Sequence, residues 1–239
     1  NLSINPMDTS SIGSHEMNTS VEITNLNNDH NSANNSLNNQ FNSNADYKIK
    51  GANGSSIINM NGGENARDVA RSFNLVTGST GVSASVVTRA KIVSISSGDH
   101  FTFTLQGKDK NASIVNATLS DQNNLTALKD SINSVSTNTG IIANLTNDNS
   151  SIMLTQNEGY NIIIGDLTTV TANMVVDAVE KDSTGNLVDQ NNQRSLDGDA
   201  TTNDSVSILG QVTLSSSKAF SITSGHSDNH FNTSTTPVT

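Results

Sequence analysis

A segment that recurs once along the chain constrains the fold more than any other sequence feature. Residues 72–84 align with residues 131–143 without a gap, at a constant offset of 59 residues. Apolar positions coincide in the two copies, as Val82 and Ile141 do. We infer two copies of one supersecondary unit. Two copies are too few to imply a long solenoid.

Each copy contains a pattern typical of a short amphipathic helix. The first helix is predicted over residues 64–74, because four apolar residues follow the spacing i, i+3, i+4 and i+7: Ala66, Val69, Ala70 and Phe73. Gly78 and Gly81 are predicted to end it. The second helix is predicted over residues 125–135, with one apolar face formed by Leu125, Leu128 and Ile132. Both apolar faces are expected to be buried.

Most of the remaining pattern predicts short strands. The candidate strands are residues 21–24 (an edge strand), 47–50, 56–60, 82–86, 101–105, 112–119, 141–145, 151–155, 160–164, 174–176, 206–214 and 219–223. Residues 157–159 are predicted to form a hairpin turn, with 160–164 as the return strand. Residues 25–44 are predicted to be loop or disorder, and the tail from Gly225 is expected to be polar and loose. The predicted fold class is α+β, mostly antiparallel β in two or three small subdomains, with one short helix in each of two repeats.

The amino-acid composition restricts which partners the chain can bind and which residues can build its hydrophobic cores. Hydrophobic residues make up 33% of the chain and aromatic residues 3%, with no Trp, so the cores must be built from Val, Ile, Leu and Ala. The net charge is −10 and no Lys/Arg cluster is present, which argues against nucleic acid and against an anionic membrane surface as partners. Cys is absent, which excludes disulfides and thiolate metal sites. No stretch approaches the roughly 20 apolar residues of a membrane helix.

Candidate catalytic residues do not form a recognisable set. His15–Glu16 would need a second His at position 19 to resemble a zinc-protease helix, and Thr19 stands there instead. The other histidines lack a matched acid or serine neighbourhood: His30, His100, His226 and His230. No Gly-x-Ser-x-Gly elbow occurs. We therefore predict that the chain is not an enzyme and assign no catalytic residues.

Two acidic loops, residues 182–186 and 197–199, carry oxygen ligands of the kind that Ca²⁺ takes. Neither has the full spacing of a calcium-binding loop, and Asp, Asn and Gly are favoured in ordinary turns. Gly62–Gly63 before the first helix fits no phosphate-binding fingerprint. The sequons at Asn116 and Asn144 are expected by chance in a chain this rich in Asn and Thr. No metal ligand, cofactor or cofactor-binding residue is predicted.

The repeated unit resembles the "IN" motif of flagellins and hook-associated proteins. The first copy does so through residues 64–70 and 77–84, and the second, more closely, through residues 125–133 and 139–141. Residues 151–160 extend the resemblance of the second copy to flagellins. Residues 210–220 look like the segment that leads flagellins back toward their conserved C-terminal helices. Together the resemblance spans roughly residues 45–224.

The resemblance implies a structural component of the bacterial flagellar filament, formed by the surface-exposed outer domains of a flagellin involved in motility. Such proteins are exported to the cell exterior without a cleaved signal. Their subunits bind one another through long terminal helices with apolar heptads, which this sequence lacks. The resemblance leaves open whether Ser and Thr side chains carry O-glycans. The alternatives are a region of a hook-associated or filament-cap protein, and a filament-borne adhesin or glycan-binding module.

The resemblance also suggests how the chain is divided. We expect an Asn/Ser-rich entry segment at residues 1–44 and a first IN-like repeat at 45–107. A second IN-like repeat follows at 108–175. A β-rich closing segment with a polar tail completes the chain at 176–239.

Overall fold

The computed structural model describes residues 14–26, 45–147, 149–169, 171–198, 204–224, 231 and 236–238. Within these residues the strands are β1 (Ser14–Asn18), β2 (Ile23–Asn25), β3 (Ala45–Gly51), β4 (Gly54–Met60), β5 (Ser83–Ile95), β6 (His100–Gln106), β7 (Ser113–Thr118), β8 (Ile141–Leu145), β9 (Ile152–Gln156), β10 (Ile162–Thr168), β11 (Asn173–Lys181), β12 (Leu187–Asp189), β13 (Arg194–Asp197), β14 (Val206–Ile208), β15 (Gln211–Ser216), β16 (Ser221–Ser224) and β17 (Thr236–Val238). The helices are α1 (Ala66–Leu75), α2 (Thr77–Thr80), α3 (Thr126–Ser134) and α4 (Ser136–Thr139).

The strands form three antiparallel sheets in the described part of the chain. The largest has the order β12-β11-β5-β15-β1-β17, with β13 paired to β11 and the β8–β9 pair joined to β5 through β9. The second has the order β2-β14-β10-β6-β7, and the smallest the order β16-β3-β4. The prediction of a mostly antiparallel β protein with a few short helices is therefore confirmed. The edge strand predicted at residues 21–24 is present as β2 at the edge of the second sheet.

Two clusters of buried hydrophobic residues lie along the long strand β5, one near its start and one toward its end. The smaller cluster gathers around α1 and includes Tyr47 and Phe73, and the larger gathers around α3 and includes Leu128 and Ile132. Strand β5 contributes to both clusters, since Val86 packs against the smaller and Ile92 lies in the larger. Aliphatic side chains dominate both, as the composition requires. The two predicted helix faces are buried as expected.

The predicted hairpin at residues 157–159 is wrong. Strand β9 pairs with β5 and β8 in the largest sheet, whereas β10 pairs with β6 and β14 in the second sheet. The turn therefore carries the chain from one sheet to another. Gly159 has a φ of 78° there, a left-handed conformation that favours glycine.

The strand predicted at residues 206–214 is two strands. Strand β14 belongs to the second sheet and β15 to the largest, and the chain changes sheet at Leu209–Gly210. A side chain at Gly210 would approach Thr88 Oγ1 to 2.6 Å and Ala66 Cβ to 2.8 Å. Glycine is thus required for packing at the point where the chain crosses between the two sheets.

Two polar segments are more structured than the sequence suggests. Strand β1, within the predicted entry segment, pairs with β15 on one side and with β17 on the other. In the tail expected to be loose, Phe231 is 2% exposed and packs edge-on against Tyr47, with ring centroids 5.5 Å apart. The expectation of a loose tail is wrong at this residue. The loop predicted at residues 25–44 is wrong at Asn25, which ends strand β2 and pairs with Val206, and residues 27–44 lie outside the described residues.

Candidate functional site

The helix of each repeated unit is buried on one face, and an asparagine side chain accepts hydrogen bonds at its start or just before it. In the first unit, Asn65 Oδ1 accepts a hydrogen bond from the Asp68 N–H at 3.0 Å, which satisfies one of the free donors at the start of α1. In the second unit, Asn124 Oδ1 accepts hydrogen bonds from Thr126 N–H at 3.2 Å and Thr126 Oγ1–H at 2.8 Å. Asn133 follows the buried Ile132 in the last turn of α3.

A threonine and a glycine turn the chain from the helical region into the next strand in both units. Thr80 Oγ1 donates to the Val76 carbonyl at 2.9 Å and accepts from the Val82 N–H at 3.2 Å. In the second unit the hydroxyl of Thr139 makes the equivalent pair of hydrogen bonds, donating to Val135 O at 3.1 Å and accepting from Ile141 N–H at 3.2 Å. The glycines that follow, Gly81 and Gly140, have φ of 75° and 68°.

An asparagine then clamps the strand to the helix. Asn74 accepts from the Ala84 N–H at 2.8 Å and donates to the Ala84 carbonyl at 2.8 Å. Asn133 does the same to Ala143, at 2.8 Å and 2.9 Å. One carboxamide thus satisfies both backbone groups of a strand residue, which fixes the position of the helix relative to the strand.

The hairpin before each helix closes onto the same turn. The N–H of Lys108 donates to the Thr139 carbonyl at 2.8 Å, and the N–H of Asn53 donates to the Thr80 carbonyl at 3.3 Å. A Cβ on Gly107 or Gly51 would overlap the same carbonyl oxygens. Both units therefore consist of a β-hairpin, a helix, a threonine–glycine turn and a clamped strand, and the predicted internal repeat is present as structure.

A cleft of about 460 Å³ lies where the two units meet, between the start of α1 and the β6–β7 turn. The guanidinium of Arg67 lies over the Tyr160 ring, 4.8 Å from its centroid, and the Arg67 N–H donates to the Gly159 carbonyl at 3.2 Å. Lys108 forms an ion pair with Glu158 at 3.0 Å. The Arg67 contacts link the first unit to the segment that follows the second, whereas the Lys108–Glu158 pair lies within the second unit. We interpret the cleft as a junction between the units.

The histidine candidates are not brought together in the described part of the chain. His15 and Glu16 are neighbours on strand β1 and so point to opposite faces, and Glu16 forms an ion pair with Lys181 at 3.0 Å. His100 Nδ1 lies 2.9 Å from Thr118 Oγ1 on the adjacent strand. His30, His226 and His230 lie outside the described residues. No group of three or more His, Cys, Asp or Glu that could hold a metal ion occurs among the described residues.

The first acidic loop is a turn that uses its own carboxylate. Asp182 Oδ1 accepts hydrogen bonds from Thr184 N–H at 2.8 Å, Thr184 Oγ1–H at 2.8 Å and Asn186 N–H at 2.9 Å. Gly185 has a φ of 89°, and the loop joins β11 to β12. These contacts give the acidic residue a role in the turn. In the second loop Gly198 packs against Thr169, and Asp199 lies outside the described residues.

The hydrogen bonds of this turn lead to a testable prediction for the pKa of the Asp182 carboxyl. Its hydrogen bond from Thr184, together with the backbone donors, lowers the pKa of the Asp182 carboxyl below its ordinary value. The stabilisation it gives is therefore complete above the unfolded-state pKa and is lost as the pH falls through the folded-state pKa. We expect side-chain carboxyl NMR to show a lowered Asp182 pKa, restored toward the ordinary value in Thr184→Ala. An unchanged Asp182 pKa in that variant would contradict the assigned cause.

The structure places the remaining candidate residues in a turn and on exposed positions of two strands. Asn61 donates to Glu64 Oε1 from its backbone at 3.2 Å and its side chain at 2.9 Å, closing the turn around Gly62–Gly63 that leads from β4 toward α1. The sequon residues Asn116 and Asn144 are exposed on β7 and β8. No helix in the described residues is long and apolar enough to cross a membrane.

The asparagine clamps were not recognised as functional residues in the sequence. Their signal was present, because Asn74 and Asn133, like Thr80 and Thr139, are identical residues at equivalent positions of the repeat. Side chains that bond the backbone leave no periodic pattern, so identity between copies was the one available clue.

Comparison with known proteins places this unit in a flagellar context. Residues 101–158 match the model of the flagellin hook IN motif. The match contains β6 without its first residue and all of β7, α3, α4, β8 and β9, and thus almost the entire second unit described above. It covers 58 of the 239 residues. The chain therefore carries a flagellin-type segment and is a flagellum-related structural protein.

The comparisons with solved structures and with curated proteins support no further conclusion. The crystal structure of the flagellar cap protein FliD from Helicobacter pylori aligns over 95% of this chain and 88% of that chain, with 11% identity and a TM-score of 0.24. At that TM-score the two folds do not superpose, and nothing follows from the alignment. None of the curated proteins matches the chain in sequence.

Proposed function

We propose that this chain forms the outer, solvent-exposed domains of a flagellin and decorates the surface of the flagellar filament. The observation that carries the proposal is the flagellin IN-type unit at residues 101–158. We assign the first unit, built from β3, β4, α1 and α2, to the same motif, because its asparagine clamp and threonine turn repeat those of the second. The divisions at residues 44 and 175 remain part of the proposal, and the division given at 107 is moved to before β6, because the β6–β7 hairpin belongs to the second unit.

The distribution of apolar surface supports a decorating role. The apolar faces of both helices are buried inside the molecule, and α1 and α3 are only 10 and 9 residues long. Subunits of helical assemblies are held by continuous heptad seams, which such helices cannot supply. The net charge of −10 also makes neighbouring copies repel one another. Assembly would then depend on contacts with other flagellin subunits through helices of the parent protein.

Deleting this region from the parent protein is expected to leave a filament that still assembles. The isolated chain is expected to be a monomer at high concentration, because the apolar faces of its helices are buried inside the molecule. Electron microscopy of the deletion strain and sedimentation of the isolated chain measure the two results. The control is removal of an equal length from the parent's terminal helices, which should abolish filaments. Fibres formed by the isolated chain alone would contradict the proposed division of labour.

Immunogold labelling with antibodies to this chain separates the proposal from its alternative. Labelling along the whole filament is expected for an outer domain of flagellin. Labelling confined to the filament tip or to the hook junction would instead favour a cap or hook-associated protein.

A further inference from the structure

Strand β8 is an edge strand with a second strand on one side only in the described part of the chain. It pairs with β9 through all five of its residues, and no other strand in the described part of the chain pairs with it. An edge strand presents unpaired N–H and C=O groups, which makes it a template for pairing with another chain. Ile142, in the middle of this edge, is 46% exposed.

The Asn133 clamp occupies the outward-facing edge of β8. Its carboxamide accepts from the Ala143 N–H at 2.8 Å and donates to the Ala143 carbonyl at 2.9 Å. In an antiparallel sheet, a residue of a neighbouring strand would make the same pair of bonds. The Ile141 N–H is likewise taken by Thr139 Oγ1, at 3.2 Å. Side chains of the same unit therefore stand where a new strand would dock.

The first unit provides a natural comparison. Asn74 makes the same two bonds to Ala84 near the start of β5. From Thr88 onward, however, β5 is paired with β9. An incoming strand would find only a short stretch of free edge there, whereas the whole length of β8 lacks a second neighbour among the described strands.

We propose that Asn133 prevents the edge of β8 from pairing with the same edge of a second copy of this chain. The partner is a second copy because the edge is self-complementary: two β8 strands running antiparallel and centred on Ala143 form a two-fold symmetric ladder. The outward N–H and C=O of each Ala143 would then bond to the other copy. Breaking the clamp is the step that permits this pairing.

The test compares Asn133→Ala with Asn74→Ala in the full 239-residue chain. Sedimentation velocity over a wide concentration range measures association, and circular dichroism confirms folding. We expect the unmodified chain and Asn74→Ala to remain monomers, and the apparent mass of Asn133→Ala to double or more as concentration rises. Adding Ile142→Lys to Asn133→Ala should restore the monomer, because a charged residue on an edge strand opposes pairing.

Three outcomes would overturn the proposal: folded Asn133→Ala that stays monomeric at every concentration, equal association of Asn74→Ala, or a double variant that still associates. If Asn133→Ala does not fold, Asn133→Ser replaces it with the same expected results. Serine is polar but too short to reach both backbone groups of Ala143. Rapid hydrogen exchange of the Ala143 N–H at low concentration, where the variant is still monomeric, confirms that the clamp has opened, and association at higher concentration should slow that exchange again.

Discussion

Replacing Phe73 by alanine lowers the free energy of unfolding by about 4 kcal/mol, as expected for a large aromatic side chain lost from a core. Phe73 is 1% exposed at the centre of the smaller hydrophobic cluster. Its ring also packs edge-on against Phe231, with centroids 5.4 Å apart. Truncation therefore removes apolar burial and one of the contacts that hold Phe231 in place. Urea unfolding followed by circular dichroism measures the loss.

The matched control for Phe73 lies two residues further along the same helix. Leu75 is 79% exposed, so Leu75→Ala should change stability by less than about 0.5 kcal/mol. Alanine and leucine both favour helices, which keeps the helix itself unchanged. Similar losses from the two substitutions would show that α1 does not bury the face assigned to it.

Replacing Gly159 by alanine is expected to cost about 3 kcal/mol, although it adds a single methyl group. Its φ of 78° disfavours any residue with a Cβ. The new Cβ would overlap Val86 Cγ2 and lie 2.8 Å from Val86 Cγ1. Since Val86 is β-branched and fixed in strand β5, it cannot turn both methyl groups away. Thermal and urea unfolding of the variant measure the cost.

Two further variants separate the causes of that loss. Val86→Ala in the Gly159→Ala background should recover the part due to overlap but leave the backbone strain. Gly78→Ala is the control, because nothing lies within 4 Å of its added Cβ and Gly78 sits inside the short helix α2. Alanine is favoured over glycine in helices, so that substitution should be neutral or slightly stabilising. A Gly159→Ala variant as stable as Gly78→Ala would contradict the close packing described here.

Local sequence patterns predicted where the helices and strands lie better than they predicted which strands pair with each other. The helix faces around Val69 and Leu128 follow directly from periodicity, which depends on neighbours three and four residues away. The turn at Gly159 was equally visible, but a turn signal does not say whether the strands beside it pair with each other. Here they enter different sheets. Strand β1 was missed because Ser14, His15 and Glu16 are polar, and its place is set by pairing with residues about two hundred positions away.

The chemistry of the repeated unit was only partly readable. The sequence revealed the repeat and the glycines at its turns. It did not reveal that Asn133 bonds both backbone groups of Ala143, since that requires the three-dimensional approach of a helix end to a strand. Asp182 shows the reverse case, in which residues typical of a cation loop are used within a turn.

The position of β1 determines the order in which the molecule can fold. The second unit pairs residues close in sequence, such as His100 with Thr118 and Ile141 with Gln156, so it closes small loops at little entropic cost. Strand β1 instead pairs with β15 and β17, and Ser14 meets Val238. This part of the sheet forms only when residues about two hundred positions apart in the sequence come together. Contacts of such long sequence separation slow folding. The second unit is therefore expected to fold early and locally, and the strand nearest the N-terminus to join late.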